Sequence, residues 1–372
     1  MSNLSSAAQL KPAACQLPVS WYFDPGVFAL EKQLIFDAGP NYVGHELMVP
    51  EAGDWHSIGW KDHSKLLVRN AGGIELLSNV CRHRQAIMLQ GRGKAENIVC
   101  PLHRWTYDLK GELLGAPHFP ENPCVKLGST PLVNWNGLLF NGPRDPRVDL
   151  APLSRALADD FDFSGYRFEK VQVTDYACNW KTFIEVYLEV YHVEPYHPGL
   201  AGFTDCDNFR LEYGDNWSVQ VVGAKNQLLK PGSPVYRKWH EACRKYLDGR
   251  EPKHGALWMT YFPNIMVEWY PHVLVVSHLQ PLGPQFTRNV VEFYYPEEIV
   301  LFEREFIAAE QAAYEETAVE DGDICTRMDR GRRALYEEGR NDAGPYQSPM
   351  EDAMIHFHEW MRKSLPADRV PA

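Results

Sequence analysis

Two short runs, Cys81-Arg82-His83 and Cys100-Pro101-Leu102-His103, constrain this chain more than any other feature. Each pairs one cysteine with one histidine, and sixteen residues separate the two runs. A two-iron, two-sulfur cluster with split ligation needs this set: two thiolates on one iron and two imidazoles on the other. A tetrahedral structural zinc could use the same four side chains, but zinc modules usually pair Cys with Cys and His with His. A disulfide between Cys81 and Cys100 would leave both histidines without a purpose. The surroundings fit the cluster. Gly91 and Gly93 let the connecting segment turn, Pro101 stiffens the second run, and Trp105 and Tyr107 offer rings to cover the site.

The 372 residues leave room for two or three domains. With 45% hydrophobic residues a sizeable core can form, and 12% aromatic residues point to a pocket or interface rich in rings. A net charge of −12 argues against nucleic acid as a partner. No apolar run approaches the length needed to span a membrane. The N-terminal residues lack the basic and apolar regions of a signal peptide. Eight cysteines without a pairing rhythm suggest a reducing, cytoplasmic setting. Cys15, Cys124, Cys178, Cys206, Cys243 and Cys325 read as small buried hydrophobes.

Along the chain, residues 1–20 read as a polar leader, followed by a turn at Pro25-Gly26 and a short helix. Residues 40–145 alternate short apolar runs with Gly, Asn and Asp turns, the rhythm of an all-β module. In it, residues 69–73 form a hairpin turn and Leu138–Phe140 the last strand. A connector with a short helix spans 146–165, and a strand begins at Tyr166. A helix is expected from Trp180 to about His192. Strand-rich blocks at 209–230 and 257–295, with helices set apart, imply an antiparallel sheet of α+β type. Residues 297–340 carry helical spacing.

A second metal site is legible around His192 and His197. Five residues apart, they do not share a face of an unbroken helix, but Pro195 between them disfavours helix and lets both reach one ion. Glu189 lies three residues before His192 and shares its face, with Tyr187 and Tyr191 flanking. Two histidines and one carboxylate leave open positions on Fe(II) for dioxygen.

Taken together, these motifs resemble the Rieske non-haem iron oxygenases, the ring-hydroxylating oxygenase α-subunit family. The resemblance covers nearly the whole chain. The family run of Asn-Trp-Lys, an acid, an acid before Tyr-His, and a later His is matched by Asn179-Trp180-Lys181, Glu185, Glu189, Tyr191-His192 and His197. It implies a Rieske 2Fe-2S cluster on Cys81, His83, Cys100 and His103, and a mononuclear Fe(II) on His192, His197 and Asp321. Asp321 is preferred over Asp323 because the family aspartate stands four residues before the position of Cys325. Gly322, inside the helical run, suggests a local break that aims the carboxylate inward. In the family a carboxylate at the position of Glu189 bonds the first iron histidine and a cluster histidine of the next subunit, here His103 of the partner subunit. The longer Glu resembles the members acting on carnitine.

The resemblance further implies an α+β chain in three parts: an N-terminal leader and helix (1–39) packing on the catalytic domain, an all-β Rieske domain (40–145), and a catalytic domain of helix-grip character (146–372). The expected activity is that of a terminal oxygenase, a mono- or dioxygenase, acting on a small organic substrate in a homotrimer. Electrons would come from NAD(P)H through a separate reductase or ferredoxin, since no glycine-rich dinucleotide fingerprint is present. Aromatic acids would suit a pocket of rings with a cation. Quaternary ammonium compounds would suit ring faces. Trp258, Tyr261, Phe262, Trp269 and Tyr270 are candidates for lining either. The rival is a Rieske-type electron carrier without oxygenase activity, which has no use for His192, His197 and Asp321.

Overall fold

A computed structural model describes residues 15–225, 228–248 and 250–366. Most of the expected polar leader lies outside them. Its described end is not a loose tail: Leu17, Val19, Trp21 and Tyr22 are buried. The chain forms two compact units, one of residues 40–147 and one that joins the segment before Pro40 to the chain from Val148 onward.

The 40–147 unit is built from small antiparallel sheets, as its turn-punctuated sequence requires. Its five-stranded sheet runs in the order Arg92–Lys94, Asp54–Ser57, Lys65–Asn70, Gly73–Ser78, Ser129–Thr130. The tight hairpin falls where expected, with Asn70 opposite Gly73. The Asn70 side chain accepts from the Gly72 amide at 2.7 Å. A three-stranded sheet (Ile98–Val99, Thr106–Tyr107, Leu113–Gly115) carries the second Cys/His run at its first turn. Leu138–Asn141 closes the unit against Asn41–His45 and Val133–Trp135.

In the other unit, after the helix α1 (Pro25–Glu31), the chain builds a seven-stranded antiparallel sheet. Its strands are β1 (Tyr166–Tyr176), β2 (Thr204–Gly214), β3 (Trp217–Ala224), β4 (Ala256–Tyr261), β5 (Ile265–Tyr270), β6 (Val273–Gly283) and β7 (Phe286–Pro296), in the order β1-β7-β6-β5-β4-β3-β2. The central strands read as near-continuous apolar runs because both faces are covered: every residue of β4, all but one of β5, the first seven residues of β6 and the run Asn289–Tyr295 of β7 are buried. The helices that frame the site are α2 (Trp180–Tyr187), the short α3 (Val193–Tyr196) and α4 (Pro198–Phe203), then α5 (Pro234–Tyr246), the 34-residue α6 (Arg304–Glu337) and α7 (Asp352–Ser364).

Three local expectations need correction. The helix begun at Trp180 stops at Tyr187, not near His192. The Glu189 carboxylate takes the His192 amide at 2.9 Å, offering that N–H a partner other than a helical carbonyl. Pro195 then sits within the first turn of α3, where its missing N–H costs nothing. Secondly, α6 runs unbroken through Gly322. A Cβ there would come within 2.8 Å of the Tyr176 ring, so the glycine admits a close neighbour and does not break the helix. Thirdly, Cys15 and Cys124 are exposed, while Cys178, Cys206, Cys243 and Cys325 are buried as expected.

Beneath α2 lies a buried ionic network. Lys181 and Glu31, both fully buried, pair at 2.6 Å, and Trp180 Nε1 donates to the same carboxylate at 2.8 Å. Glu185 is held by Arg332 at 2.6 Å, by His358 at 2.9 Å and by the Tyr22 hydroxyl. Burial alone would raise the Glu185 carboxyl, but Arg332, His358 and Tyr22 outweigh it and bring it to about 2. A carboxyl depressed below its unfolded value adds stability above that value and loses it as pH falls towards the folded one. Glu185→Gln should therefore destabilise the protein by about 3 kcal/mol at neutral pH, leaving Arg332 with only the more distant Asp329 carboxylate at 3.7 Å, with the gap closing between roughly pH 4.5 and 2. Urea melts of the two proteins at pH 7 and pH 3 check both the size and the sign.

Candidate metal centres

The two Cys/His runs form loops of one design. In each, the residue four after the cysteine bonds back to the cysteine carbonyl: Gln85 N to Cys81 O and Arg104 N to Cys100 O, both at 3.1 Å. Those two residues have φ of 56° and 60°, the left-handed turn that swings each loop back on itself. Each cysteine amide then bonds to the residue five on, Cys81 to Ala86 and Cys100 to Trp105. Cys81 and Cys100 are buried in the same apolar core as Leu77, Ile98 and Tyr107. Burial raises the Cys100 thiol, while the amides of Leu102 and His103 work the other way. The His83 and His103 rings lie 4.6 Å apart, and Trp105 stacks on His83 at 4.9 Å. The Tyr107 hydroxyl reaches Cys81 Sγ at 3.5 Å. His83 Nδ1 is buried without a hydrogen-bond partner, as a nitrogen that serves a metal would be. All eight cysteines are free, so the disulfide reading of Cys81 and Cys100 does not hold.

In the larger unit, His192, His197 and Asp321 bring one ligand atom each within 4.8 Å of one another. His192 Nε2 and His197 Nε2 face each other at 3.0 Å. Each ring spends its other nitrogen on a carboxylate: His192 Nδ1 on Glu189, and His197 Nδ1 on Glu320 at 2.7 Å. A carboxylate only accepts, so both Nδ1 atoms carry a proton, and in the neutral rings both Nε2 atoms present lone pairs. Asp321 Oδ1 lies 3.0 Å and 3.6 Å from those nitrogens, yet makes no hydrogen bond. Three electron pairs pointed at one place repel unless a cation sits between them. A proton on each Nε2 can play the cation's part: the acids around it lift His192 to about 9 against its burial, and the protonated rings hold the Asp321 carboxyl below the usual range although burial opposes its charge. Asp323 takes no part: it pairs with Arg327 at 2.8 Å and accepts from Tyr196 at 2.7 Å. Glu320 was visible in the sequence only as the first half of an acidic pair; its role became apparent once α6 and α3 were packed together.

The three residues open onto a cavity between the sheet and α6, with about 970 Å³ of empty space counting its opening to solvent. From α6, Glu310, Tyr314, Thr317, Asp321 and Cys325 line it at spacings that keep to one helix face. Trp258 and Tyr270 line it as expected, while Tyr261, Phe262 and Trp269 do not. Strand alternation turns Tyr261 and Trp269 away from Trp258 and Tyr270. Its lining includes no lysine or arginine among the described residues. It includes instead two further acids that sequence reading missed, Glu268 and Glu310, 4% and 1% exposed. Burial lifts Glu268 to about 7 and Glu310 to about 8.

Comparison with known proteins accords with this geometry. Residues 163–367 match the family model described as ring hydroxylating alpha subunit (catalytic domain), and residues 40–130 match the Rieske [2Fe-2S] domain. The chain belongs to the ring-hydroxylating oxygenase α-subunit family. A putrescine 2-hydroxylase of Ralstonia nicotianae is 62% identical over 98% of this chain and all of that protein. One of Bordetella bronchiseptica is 54% identical over 98% of this chain and 88% of its own length. Among solved structures, a quaternary ammonium Rieske monooxygenase, studied for carnitine oxidation and inter-subunit electron transfer, has the same fold. Its TM-score is 0.74 at 20% identity, covering 96% of this chain and 98% of that one. As a Rieske oxygenase, the protein is a terminal component that hydroxylates a small substrate with O2. It works with a Rieske 2Fe-2S cluster, a mononuclear non-haem iron and electrons from a reductase. No described helix is long and apolar enough to cross a membrane.

Proposed function

We propose that this oxygenase hydroxylates a short aliphatic diamine, putrescine or a near homologue, on a carbon of its chain. The observation that carries the reading is a cavity lined by no lysine or arginine among the described residues, in which the acids Glu268 and Glu310 stand apart from the metal-binding residues and from Glu189 beside them, with Glu268 paired to no cation. An aromatic acid would meet repulsion there and no cation. A diammonium chain supplies the missing positive charge, and Tyr187, Tyr236, Trp258 and Tyr270 offer rings along its length. The 62% identity to a putrescine 2-hydroxylase supports the same substrate class.

Within this reading, Cys81, His83, Cys100 and His103 hold the cluster in domain 40–145. His192, His197 and Asp321 hold the iron in domain 146–372, on which residues 1–39 pack. Iron at that site supplies the activation of dioxygen and the oxidation of the substrate's C–H bond. The protein's own part is orientation: Glu189 and Glu320 fix the tautomer and ring angle of the two histidines. The tyrosine-lined acids place the chain, and burial keeps bulk water from competing for the ammonium groups. Glu189 also serves as the relay for electrons between cluster and iron, in a cytoplasmic homotrimer.

The test is oxygen uptake by the reconstituted enzyme with a surrogate reductase. We expect uptake coupled to product with 1,4-diaminobutane, and little with benzoate, choline or carnitine. Coupled turnover of an aromatic acid in preference to the diamine would defeat the proposal.

A further inference from the structure

Resting on the diamine reading, a finer question is what tells a diamine from a monoamine and sets which carbon meets the iron. Glu268 stands on β5 with its carboxylate held from two sides. Tyr270 donates to Oε2 at 2.7 Å and Tyr314 to Oε1 at 3.1 Å. Trp258 Nε1 donates to the Tyr270 hydroxyl at 3.0 Å, fixing that phenol in turn. The carboxylate is therefore preorganised, and among the described residues no lysine, arginine or histidine pairs with it. Its two oxygens keep lone pairs beyond those the phenols use.

A second polar atom points to a ligand independently. Asn289, on β7, is 5% exposed and lines the same cavity, and its Oδ1 has no hydrogen-bond partner. A buried acceptor left unpaired costs free energy that a bound donor would recover. Tyr187 likewise lines the cavity with an unpartnered hydroxyl.

The strand register orders these groups relative to the metal residues. Thr174 pairs with Asn289, and Tyr176, two residues on, lies against Gly322 beside Asp321. Asn289 is thus towards the metal end. Glu268 lies opposite Val275, which lies opposite Phe293, and the Phe293 ring packs on Tyr314 at 5.1 Å. Tyr314 is seven residues before Asp321 on α6, about 10 Å along the helix axis. Glu268 is thus towards the far end. The four-residue step from Asn289 to Phe293 is about 13 Å along the strands and the two-strand step from β7 to β5 about 10 Å across them, so the two Cα atoms lie about 16 Å apart, a gap that the two side chains shorten by reaching into one cavity. An extended 1,4-diaminobutane with one hydrogen bond at each end spans about 12 Å.

The geometry points to Glu268 and Asn289 as the two ends of a molecular ruler: Glu268 receives the remote ammonium of a diamine, Asn289 Oδ1 receives the near one, and a carbon of the chain next after the near α-carbon comes to the metal. Glu310, which accepts from Tyr295, stands one helical turn beyond Tyr314 and lies behind this span. Lys170, over the Phe293 ring at 5.2 Å, acts on Glu310 and not on Glu268.

The experiment compares 1,4-diaminobutane with 1-aminobutane, which has the same carbon chain and no second ammonium. Dissociation constants come from anaerobic calorimetry on the holoenzyme, and KM and kcat for the diamine from turnover with a surrogate reductase. Glu268→Gln should weaken the diamine by about 50-fold in Kd and KM, leave kcat within about threefold, and leave the Kd of 1-aminobutane unchanged. Glu268→Asp keeps the charge but withdraws it by one methylene. It should recover most of the affinity and shift the preference towards 1,5-diaminopentane. Equal losses for both amines, or an unchanged diamine Kd in Glu268→Gln, would overturn the ruler. Failure of the wild type itself to bind or hydroxylate the diamine would instead defeat the diamine reading, and is seen before any variant is made.

Discussion

Asp321→Ala should lose one iron per chain, keep the visible absorbance of the cluster, and turn over no substrate. Asp323→Ala should keep its full complement of iron and most of its activity. The two carboxylates are neighbours on α6 but have different partners. Asp321 Oδ1 is buried and approaches two histidine nitrogens at 3.0 Å and 3.6 Å without a hydrogen bond to either. Asp323 is half-exposed and already satisfied by Arg327 and Tyr196. An exposed ion pair of this kind is worth about 1 kcal/mol or less. With Asp321 as one of three proposed ligands, its removal would leave two imidazoles, too few to keep iron in competition with solvent and chelator. Metal analysis after dialysis against a chelator, with the cluster spectrum recorded on the same sample, separates the two sites within one protein. Iron lost from Asp323→Ala and kept by Asp321→Ala would reverse the assignment.

Much of this arrangement was legible in the sequence because ligand chemistry is local. Cys81-x-His83 and Cys100-x-x-His103 each lie in a tight loop whose geometry depends on residues four and five positions away, so spacing alone carries the signal. His192 and His197 behave the same way: Pro195 marks the change of direction, although the helix before it ends five residues sooner than its apolar pattern suggests. Asp321 needed the family register, since nothing near it in the chain distinguishes it from Glu320 or Asp323. The substrate end was not legible. Glu268 reads as one acid in an apolar strand, and Asn289 as a turn-prone residue near a strand start. Only the pairing of β5, β6 and β7, and the fall of Tyr314 onto Glu268 from α6, turn them towards one cavity. Such meetings are set by tertiary packing between residues tens of positions apart, and local patterns do not encode them.

Glu189→Gln should retain both metals and a cluster that the reductase still reduces, yet slow turnover by about 100-fold. The glutamate makes two bonds to one residue: Oε2 accepts the His192 amide at 2.9 Å and Oε1 accepts the His192 ring Nδ1–H. Both partners are donors, which a carboxylate can satisfy together. A glutamine amide has one acceptor end and one donor end. If its oxygen takes the ring N–H, its NH2 faces the backbone N–H, and two donors oppose each other. The ring N–H keeps the amide oxygen as its acceptor, so His192 still presents Nε2 to the metal, but the bond to the backbone and the negative charge that raises the basicity of that nitrogen are gone. A merely structural role for Glu189 would lower thermal stability and iron content. A relay role leaves these unchanged and slows the step that follows cluster reduction. Stopped-flow mixing of the pre-reduced enzyme with oxygen and 1,4-diaminobutane reads that step directly as cluster reoxidation. Reoxidation at the wild-type rate in Glu189→Gln would remove Glu189 from the electron path, whereas a slow rate with full iron and unchanged cluster reduction places it there.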